Sequence, residues 1–213
     1  MVLITKWWWI RHAPVLASSH YLYGQQDIPA DCSNEKSFLT LAHMLPHDAV
    51  WIITPLQRTY QTATMLQKIS KQEILFRTED NFIEQNFGGW QGLSYDEINN
   101  LNKNLFNNRS LRFLAHAIPP DGESFNQLVQ RVSFSIKQIN ELYKGRDIIV
   151  ITHAGTIRSA LAFALGLEGG QALQFNISCL SLTRLDHINL IEGESLHQNE
   201  NWKIHKVNHL YKS

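Results

Sequence analysis

Three short apolar segments, each followed by a stretch of helical composition, constrain the fold of this chain more than any other feature. The segments are Thr5–Ile10, Ala49–Thr54 and Asp147–Thr152. All three are rich in β-branched or aromatic residues and lack polar alternation, which predicts strands buried on both faces. Because strands and helices alternate along the chain, we expect an α/β fold of three layers, α/β/α, with a mostly parallel central sheet.

Helix and strand signals flank these segments. Pro55 stands at a first-turn position of one predicted helix, Gly145 follows a strongly amphipathic one, and Gly166 ends a third. The predicted helices are Leu56–Ser70, Glu123–Tyr143 and Thr156–Leu165, and two further strands are predicted at Ile177–Leu185 and Trp202–Val207, joined by a polar loop around Glu192–Glu200.

Residues 81–120 fit this alternation poorly. They contain Gly88, Gly89 and Gly92, many asparagines and a Pro-Pro pair. We interpret them as an insertion of helices and loops that lies over the sheet. The expected organisation is a single domain, residues 1–213, with an insertion at about residues 81–120.

Charge and composition exclude several function classes. Nineteen basic residues balance nineteen acidic ones, so no overall charge attracts nucleic acid or an anionic membrane. The longest apolar run, Ala160–Leu167, is too short to cross a bilayer, and Lys6 interrupts the apolar start where a signal peptide would continue. Cys32 and Cys179 form no metal or disulfide pattern. We expect a cytoplasmic protein with no nucleic-acid or membrane partner.

Histidines and arginines follow the three strands at the point where each one ends. Arg11 and His12 come directly after the first, Arg58 lies four residues after the second, and His153 comes directly after the third. In parallel α/β sheets, ligands bind outside the carboxyl ends of the strands. A single histidine near a strand end is commonly structural, but four such residues converging on one edge predict an anion site.

These residue types suit phosphoryl transfer. Arginine binds phosphate oxygens bidentately, and helix N-termini add N–H donors. A neutral imidazole attacks phosphorus and is released again from phosphohistidine. We expect one histidine of this cluster to act in this way, and the second, protonated, to stabilise charge on the equatorial oxygens. No metal or other cofactor is needed for this chemistry, and none is predicted.

Five motifs together resemble the histidine phosphatase superfamily, which comprises the cofactor-dependent phosphoglycerate mutases and related phosphatases. In chain order they are RHA at 11–13, TPLQRTYQTA at 54–63, FIEQNFGGWQG at 82–92, PPDGES at 119–124 and THAGTIR at 152–158. The resemblance implies that the insertion covers the active site.

The resemblance also assigns roles to individual residues. It implies that His12 is phosphorylated during turnover and that Arg11, Arg58 and His153 complete its phosphate pocket. Glu84 is implied as the proton donor to the leaving group. In the segment YGQQD at 23–27, which resembles a substrate loop of the family, Gln25 is expected to donate to phosphate.

Some residues depart from the family pattern or have two interpretations. Ala13-Pro14-Val15 replaces the usual glycine and polar residues after the nucleophile, and Gln91 replaces a glutamate found in many relatives. Glu123 is either a first-turn acid favoured by the dipole of its helix or a residue that acts near the site. The sequence favours the first interpretation slightly.

Three functions remain open at this stage. The chain is a phosphatase, a mutase that moves phosphate within one substrate, or an inactive relative that binds phosphate. Its compact length and its GGWQG and DGES motifs resemble the α-ribazole phosphatase and broad-specificity phosphatase branch. The expected partner is a small phosphorylated substrate, and α-ribazole 5′-phosphate of cobalamin biosynthesis is the specific candidate. The oligomeric state stays open.

Overall fold

A computed structural model describes residues 2–16, 21–101, 111–190 and 201–210 of the 213-residue chain. In chain order, the helices and strands are β1 (Val2–Arg11), α1 (Glu35–Ala42), β2 (Ala49–Ile53), α2 (Gln57–Ser70), β3 (Phe76–Thr78), α3 (Tyr95–Leu101), α4 (Leu111–His116), α5 (Phe125–Leu142), β4 (Asp147–Thr152), α6 (Ala154–Leu165), α7 (Gly169–Ala172), β5 (Leu182–Leu190) and β6 (Trp202–His209).

The described strands form one six-stranded sheet in the order β3-β2-β4-β1-β5-β6. The pairs β3–β2, β2–β4 and β4–β1 are parallel, whereas β5 runs antiparallel to both β1 and β6. The predicted mostly parallel sheet is therefore confirmed, with one reversed strand near its edge. The parallel part places the carboxyl ends of β1, β2 and β4 along the same edge.

Helices cover both faces of the sheet because both faces of the central strands are apolar. Trp7 and Trp9 of β1 stack at 5.0 Å between ring centroids and belong to the core formed with α5 and α6. Ile10 belongs to the opposite core, which includes residues of α1 and α2. In β4, Val150 contributes to the first core and Ile151 to the second. This alternation confirms the three-layer fold.

Several predicted boundaries shift in the structure. The last predicted helix begins at Ala154, two residues before Thr156, and β5 begins at Leu182 instead of Ile177. A turn accounts for the later start of β5, because Leu180 has a left-handed backbone with φ of 56°. Helix α1 and strand β3 were not predicted. The predicted polar loop around Glu192–Glu200 lies outside the described residues.

The segment predicted as an insertion contains short helices instead of sheet strands. Two turns of 3₁₀ helix, Asp80–Phe82 and Gly88–Trp90, precede α3 and α4. Gly88 has φ of 45°, and an added Cβ would lie 2.0 Å from the carbonyl oxygen of Pro120. Only glycine fits this approach, which joins the FGGW segment to the Pro-Pro turn. Within the described ranges, no helix is long and apolar enough to span a membrane.

Candidate active site

The histidines predicted from the strand ends lie side by side. The backbone N–H of His12, after β1, donates to the carbonyl oxygen of Thr152 at the end of β4 (2.9 Å). His153 follows Thr152, and its ring centroid lies 5.3 Å from that of His12. Arg58, in the first turn of α2, is close enough to lower the pKa of both rings. The structure thus brings these three residues together with Arg11, as the strand order requires.

One hydrogen bond fixes the tautomer of His12. Its Nδ1 lies 2.6 Å from the carbonyl oxygen of Ala13, which can only accept, so Nδ1 carries the proton and Nε2 keeps its lone pair. Burial, followed by the Arg58 and Arg11 guanidinium groups, lowers the pKa of His12 well below the ordinary value for histidine. His12 is therefore a neutral imidazole with Nε2 available as a nucleophile.

The two ring nitrogens of His153 have different surroundings. Its Nε2 lies 2.9 Å from Oγ1 of Thr54, whereas its Nδ1 is buried and has no hydrogen-bond partner in the described part of the chain. Burial and the charge of Arg58 lower its pKa well below the ordinary value. Without a bound anion, the surrounding protein groups therefore favour the neutral ring, and a protonated second histidine beside a bound phosphoryl group stays a prediction. A phosphate dianion beside Nδ1 acts in the opposite direction, since an opposite charge raises a histidine pKa.

Backbone carbonyls orient the two arginines. Arg58 is fully buried and donates to Gly24 O (2.6 Å) and Gln26 O (2.7 Å), and Arg11 donates to Ile177 O (2.6 Å). Neither forms an ion pair with a described residue. Of the seven buried polar side-chain atoms without a partner in the described ranges, three are Arg11 Nε, Arg58 Nε and His153 Nδ1. Guanidinium groups with buried, unused donors indicate a site for an anion.

Glu84 lies at the N-terminus of α6. One of its carboxylate oxygens accepts from the backbone N–H of Gln85 (2.9 Å), and the other accepts from that of Gly155 (3.3 Å). A Cβ on Gly155 would lie 2.3 Å from Glu84 Oε1, so the glycine of the THAGTIR motif makes room for this carboxylate. Gly155 follows His153 by two residues, so this hydrogen bond holds the Glu84 carboxylate at the start of the helix that follows His153.

An ion pair that the sequence did not identify holds the segment that carries Glu84. Arg131 of α5 donates to both carboxylate oxygens of Glu123 (2.6 and 3.0 Å) and to the carbonyl oxygens of Asn81, Ile83 and Glu84 (2.6 to 3.0 Å). Helix α5 begins only at Phe125, with Ser124 as its N-cap. The favoured interpretation of Glu123 as a first-turn acid is therefore wrong, because its carboxylate pairs with Arg131 beside the site.

Gln25 contacts the backbone of the same segment. Its Nε2 donates to Glu84 O (2.9 Å), and its backbone N–H donates to Oε1 of Gln91 (2.7 Å). Gln91, the departure from the family pattern, thus supports the loop that carries Gln25. Direct donation from Gln25 to phosphate stays a prediction. Pro14 and Val15, the other departures, line a cavity beside the histidines.

This cavity has a volume of about 570 Å³ and adjoins the histidine and arginine cluster through Arg11, Glu84 and Gly155. Most of the remaining lining is apolar or aromatic. It includes Tyr21, Tyr23, Phe87, Trp90, Tyr95, Leu111, Leu114, Ala117, Phe125, Leu173 and Ile177. Arg158, which the sequence did not single out although it ends the THAGTIR motif, also lines it. Within the described ranges, no group of three or more His, Cys, Asp or Glu residues is arranged to hold a metal ion.

The lowered pKa values predict acid sensitivity. In the unfolded chain His12 and His153 gain protons as the pH falls below about 6.5, whereas the folded chain resists this. The free energy of unfolding should therefore decrease as the pH is lowered from about 7 to 5.5, by up to about 1.4 kcal/mol per pH unit for each histidine. Urea unfolding at several pH values checks this, and His12→Asn should make the dependence shallower. An identical pH dependence of stability in His12→Asn and in the wild type would contradict a lowered pKa for His12.

Comparison with known proteins agrees with this geometry. Residues 7–196 match the histidine phosphatase superfamily (branch 1). The adenosylcobalamin/alpha-ribazole phosphatase of Escherichia coli K12 is 25% identical over 175 residues, which are 80% of this chain and 84% of that protein. The bifunctional protein Rv2228c of Mycobacterium tuberculosis is 29% identical over 137 residues, 63% of this chain, but the match spans only 36% of that longer relative.

Solved structures show the same fold. A mycobacterial glucosyl-3-phosphoglycerate phosphatase superposes with a TM-score of 0.77 at 19% identity, covering 98% of this chain and 99% of the other. The family match extends over most of the sequence and includes the segments that carry His12, Arg58, Glu84 and His153. The protein therefore belongs to the histidine phosphatase superfamily.

Proposed function

We propose that this protein is a metal-independent phosphomonoesterase that acts through a phosphohistidine intermediate. The observation that carries the proposal is the state of His12: a neutral ring whose Nδ1–H donates to Ala13 O, next to the buried Arg58 and the partly buried Arg11, neither of which has a carboxylate partner among the described residues. This arrangement offers a nucleophile and a binding site for the charge that it attacks.

In the first step, His12 Nε2 attacks the phosphorus atom of a bound monoester. The N–P bond forms as the bond between phosphorus and the ester oxygen breaks. Glu84, entering as the carboxylic acid, gives its proton to the departing oxygen, so an alcohol leaves and a carboxylate remains. Arg11, Arg58 and His153 bind the three equatorial oxygens, where negative charge accumulates.

In the second step, water attacks the phosphohistidine. The Glu84 carboxylate takes a proton from the water as the new O–P bond forms and the N–P bond breaks. Inorganic phosphate leaves, His12 returns to its neutral form, and Glu84 is again protonated. The Nδ1–H of His12 stays on its carbonyl partner throughout, so the imidazole changes charge but keeps its orientation.

The alternatives differ in what they require. A mutase must return the phosphoryl group to its substrate, whereas a phosphatase passes it to water. An inactive relative commonly lacks one of the reacting residues, whereas Arg11, His12, Arg58, Glu84 and His153 are all present here. α-Ribazole 5′-phosphate is the first specific substrate to test, because a named α-ribazole phosphatase aligns over 84% of its own length.

A direct assay tests the proposed function. The purified protein should release phosphate from phenyl phosphate, and a chelator should not change the rate. A panel of phosphorylated metabolites, including α-ribazole 5′-phosphate, should then be assayed with and without 2,3-bisphosphoglycerate. Phosphate exchange that depends on this primer would identify a mutase, and loss of activity with chelator would overturn the metal-independent mechanism.

Arg131 is expected to control activity through Glu84 without touching the substrate. Arg131→Gln removes the guanidinium that binds Glu123 and the carbonyl of Glu84. Misplacing a reacting group by about 1 Å can cost on the order of 100-fold, so kcat should fall about 10-fold to 100-fold. Steady-state kinetics check this, with Lys137→Gln on the exposed face of the same helix as the control. An unchanged kcat in Arg131→Gln would show that the ion pair does not position Glu84.

A further inference from the structure

The cavity beside the reaction centre has two chemically distinct parts. At one end, Arg11 and Glu84 belong to the proposed reaction centre. Beyond them the lining is mainly apolar and aromatic, with side chains from the segment after β1, the insertion and α5. A leaving group in this cavity would exchange water for aromatic and aliphatic contacts, which favours an apolar ring over a small polar alcohol.

Arg158 is the exception in this lining. Apart from Arg11 and Glu84, it is the only charged side chain among the described residues that line the cavity. It lies on α6 three residues after Gly155, about one helical turn from the Glu84 contact. Its guanidinium is therefore near the reaction centre but outside the cluster of His12, Arg58 and His153.

The hydrogen bonds of Arg158 leave most of its guanidinium available. Its Nε donates to the carbonyl oxygen of Phe175 (2.8 Å), which fixes the side chain against the segment before β5. Its two terminal nitrogens have no hydrogen-bond or ion-pair partner within the described ranges. Burial lowers the pKa of Arg158, whereas the charge of Glu84 raises it. A half-buried guanidinium with its terminal donors unused suits a carboxylate, which it binds through two parallel hydrogen bonds.

We infer that the alcohol released at this site carries an apolar ring and a carboxylate, with the ring in the aromatic part of the cavity and the carboxylate on Arg158. The inference rests on the proposed phosphomonoesterase function and names its substrate class. It also ranks substrates: α-ribazole 5′-phosphate supplies an aromatic ring but no carboxylate, so a ring-bearing carboxylic acid phosphate should be preferred to it.

Matched pairs of aryl phosphates test the inference. The 2-, 3- and 4-carboxyphenyl phosphates are each compared with the carbamoylphenyl phosphate of the same substitution, which has similar shape but no charge. For at least one position, the carboxylate should give a kcat/KM at least about 10-fold higher, as expected for one charge-assisted contact. Arg158→Gln should bring that ratio close to one. Arg146→Gln, on the exposed far end of the sheet, is the control and should keep the wild-type ratio.

A binding measurement separates failure of the inference from failure of the proposed function. Titration calorimetry of His12→Ala with the same pairs needs no turnover, and the same carboxylate preference is expected in Kd. It should be lost in His12→Ala/Arg158→Gln. Absence of turnover with a retained Kd preference would overturn the proposed function alone. A ratio near one in both assays, or an equal effect of Arg158→Gln on both members of every pair, would overturn the inference.

Discussion

Replacing His12 with alanine is expected to abolish phosphatase activity, with kcat falling by on the order of 10⁴-fold or more, as for a removed nucleophile. The loss should be similar for every monoester, because His12 Nε2 forms the bond to phosphorus whatever the leaving group is. Substrate affinity should change much less, since Arg11 and Arg58 are held by backbone carbonyls that the substitution leaves in place.

Trapping the intermediate makes this expectation specific. Wild-type protein quenched in alkali during turnover of a radiolabelled ester should carry a label that acid releases, as phosphohistidine does, and His12→Ala should carry none. His43→Ala, at an exposed position after α1, is the matched control and should behave as wild type. Full activity in His12→Ala, or a label that persists in it, would rule out His12 as the nucleophile.

The architecture of the site could be predicted because it follows from strand direction. Uninterrupted apolar segments such as Asp147–Thr152 identify central strands, and parallel strands bring their last residues to one edge. His12 and His153 therefore had to be neighbours once β1 and β4 paired in parallel. To predict that two histidines 141 residues apart lie close together, only the fold class and the position of each histidine after its strand were required.

Features that depend on burial or on irregular backbone could not be predicted in this way. The lowered pKa of His153 reflects its complete burial and the guanidinium of Arg58, neither of which its neighbours in sequence disclose. The pairing of Glu123 with Arg131 crosses the start of a helix and involves a loop about 40 residues away. The start of β5 depends on a left-handed Leu180, a conformation that leucine rarely adopts.

Glu84→Gln is expected to show which bond-breaking step depends on the carboxyl group. Glutamine keeps the size of the side chain and an oxygen that can accept from Gly155 N–H, but it cannot give a proton to the leaving oxygen. For an alkyl phosphate, which must leave as an alcohol, kcat should fall about 10²-fold to 10⁴-fold. For 4-nitrophenyl phosphate, whose leaving anion is stable without a proton, the fall in the first step should be much smaller.

This dependence on the leaving group distinguishes proton donation from a purely electrostatic or positioning role. If Glu84 only oriented the substrate or balanced the charge of the arginines, its removal would slow alkyl and aryl esters by the same factor. Burst-phase kinetics with 4-nitrophenyl phosphate isolate the first step from hydrolysis of the phosphohistidine, in which Glu84 acts as the base. Glu141→Gln, in a surface ion pair with Lys144, is the control. Arg131→Gln should also slow alkyl esters more than aryl esters, but by a smaller factor, because it displaces the proton donor without removing it. Equal losses for both ester classes in Glu84→Gln would assign the proton to another group.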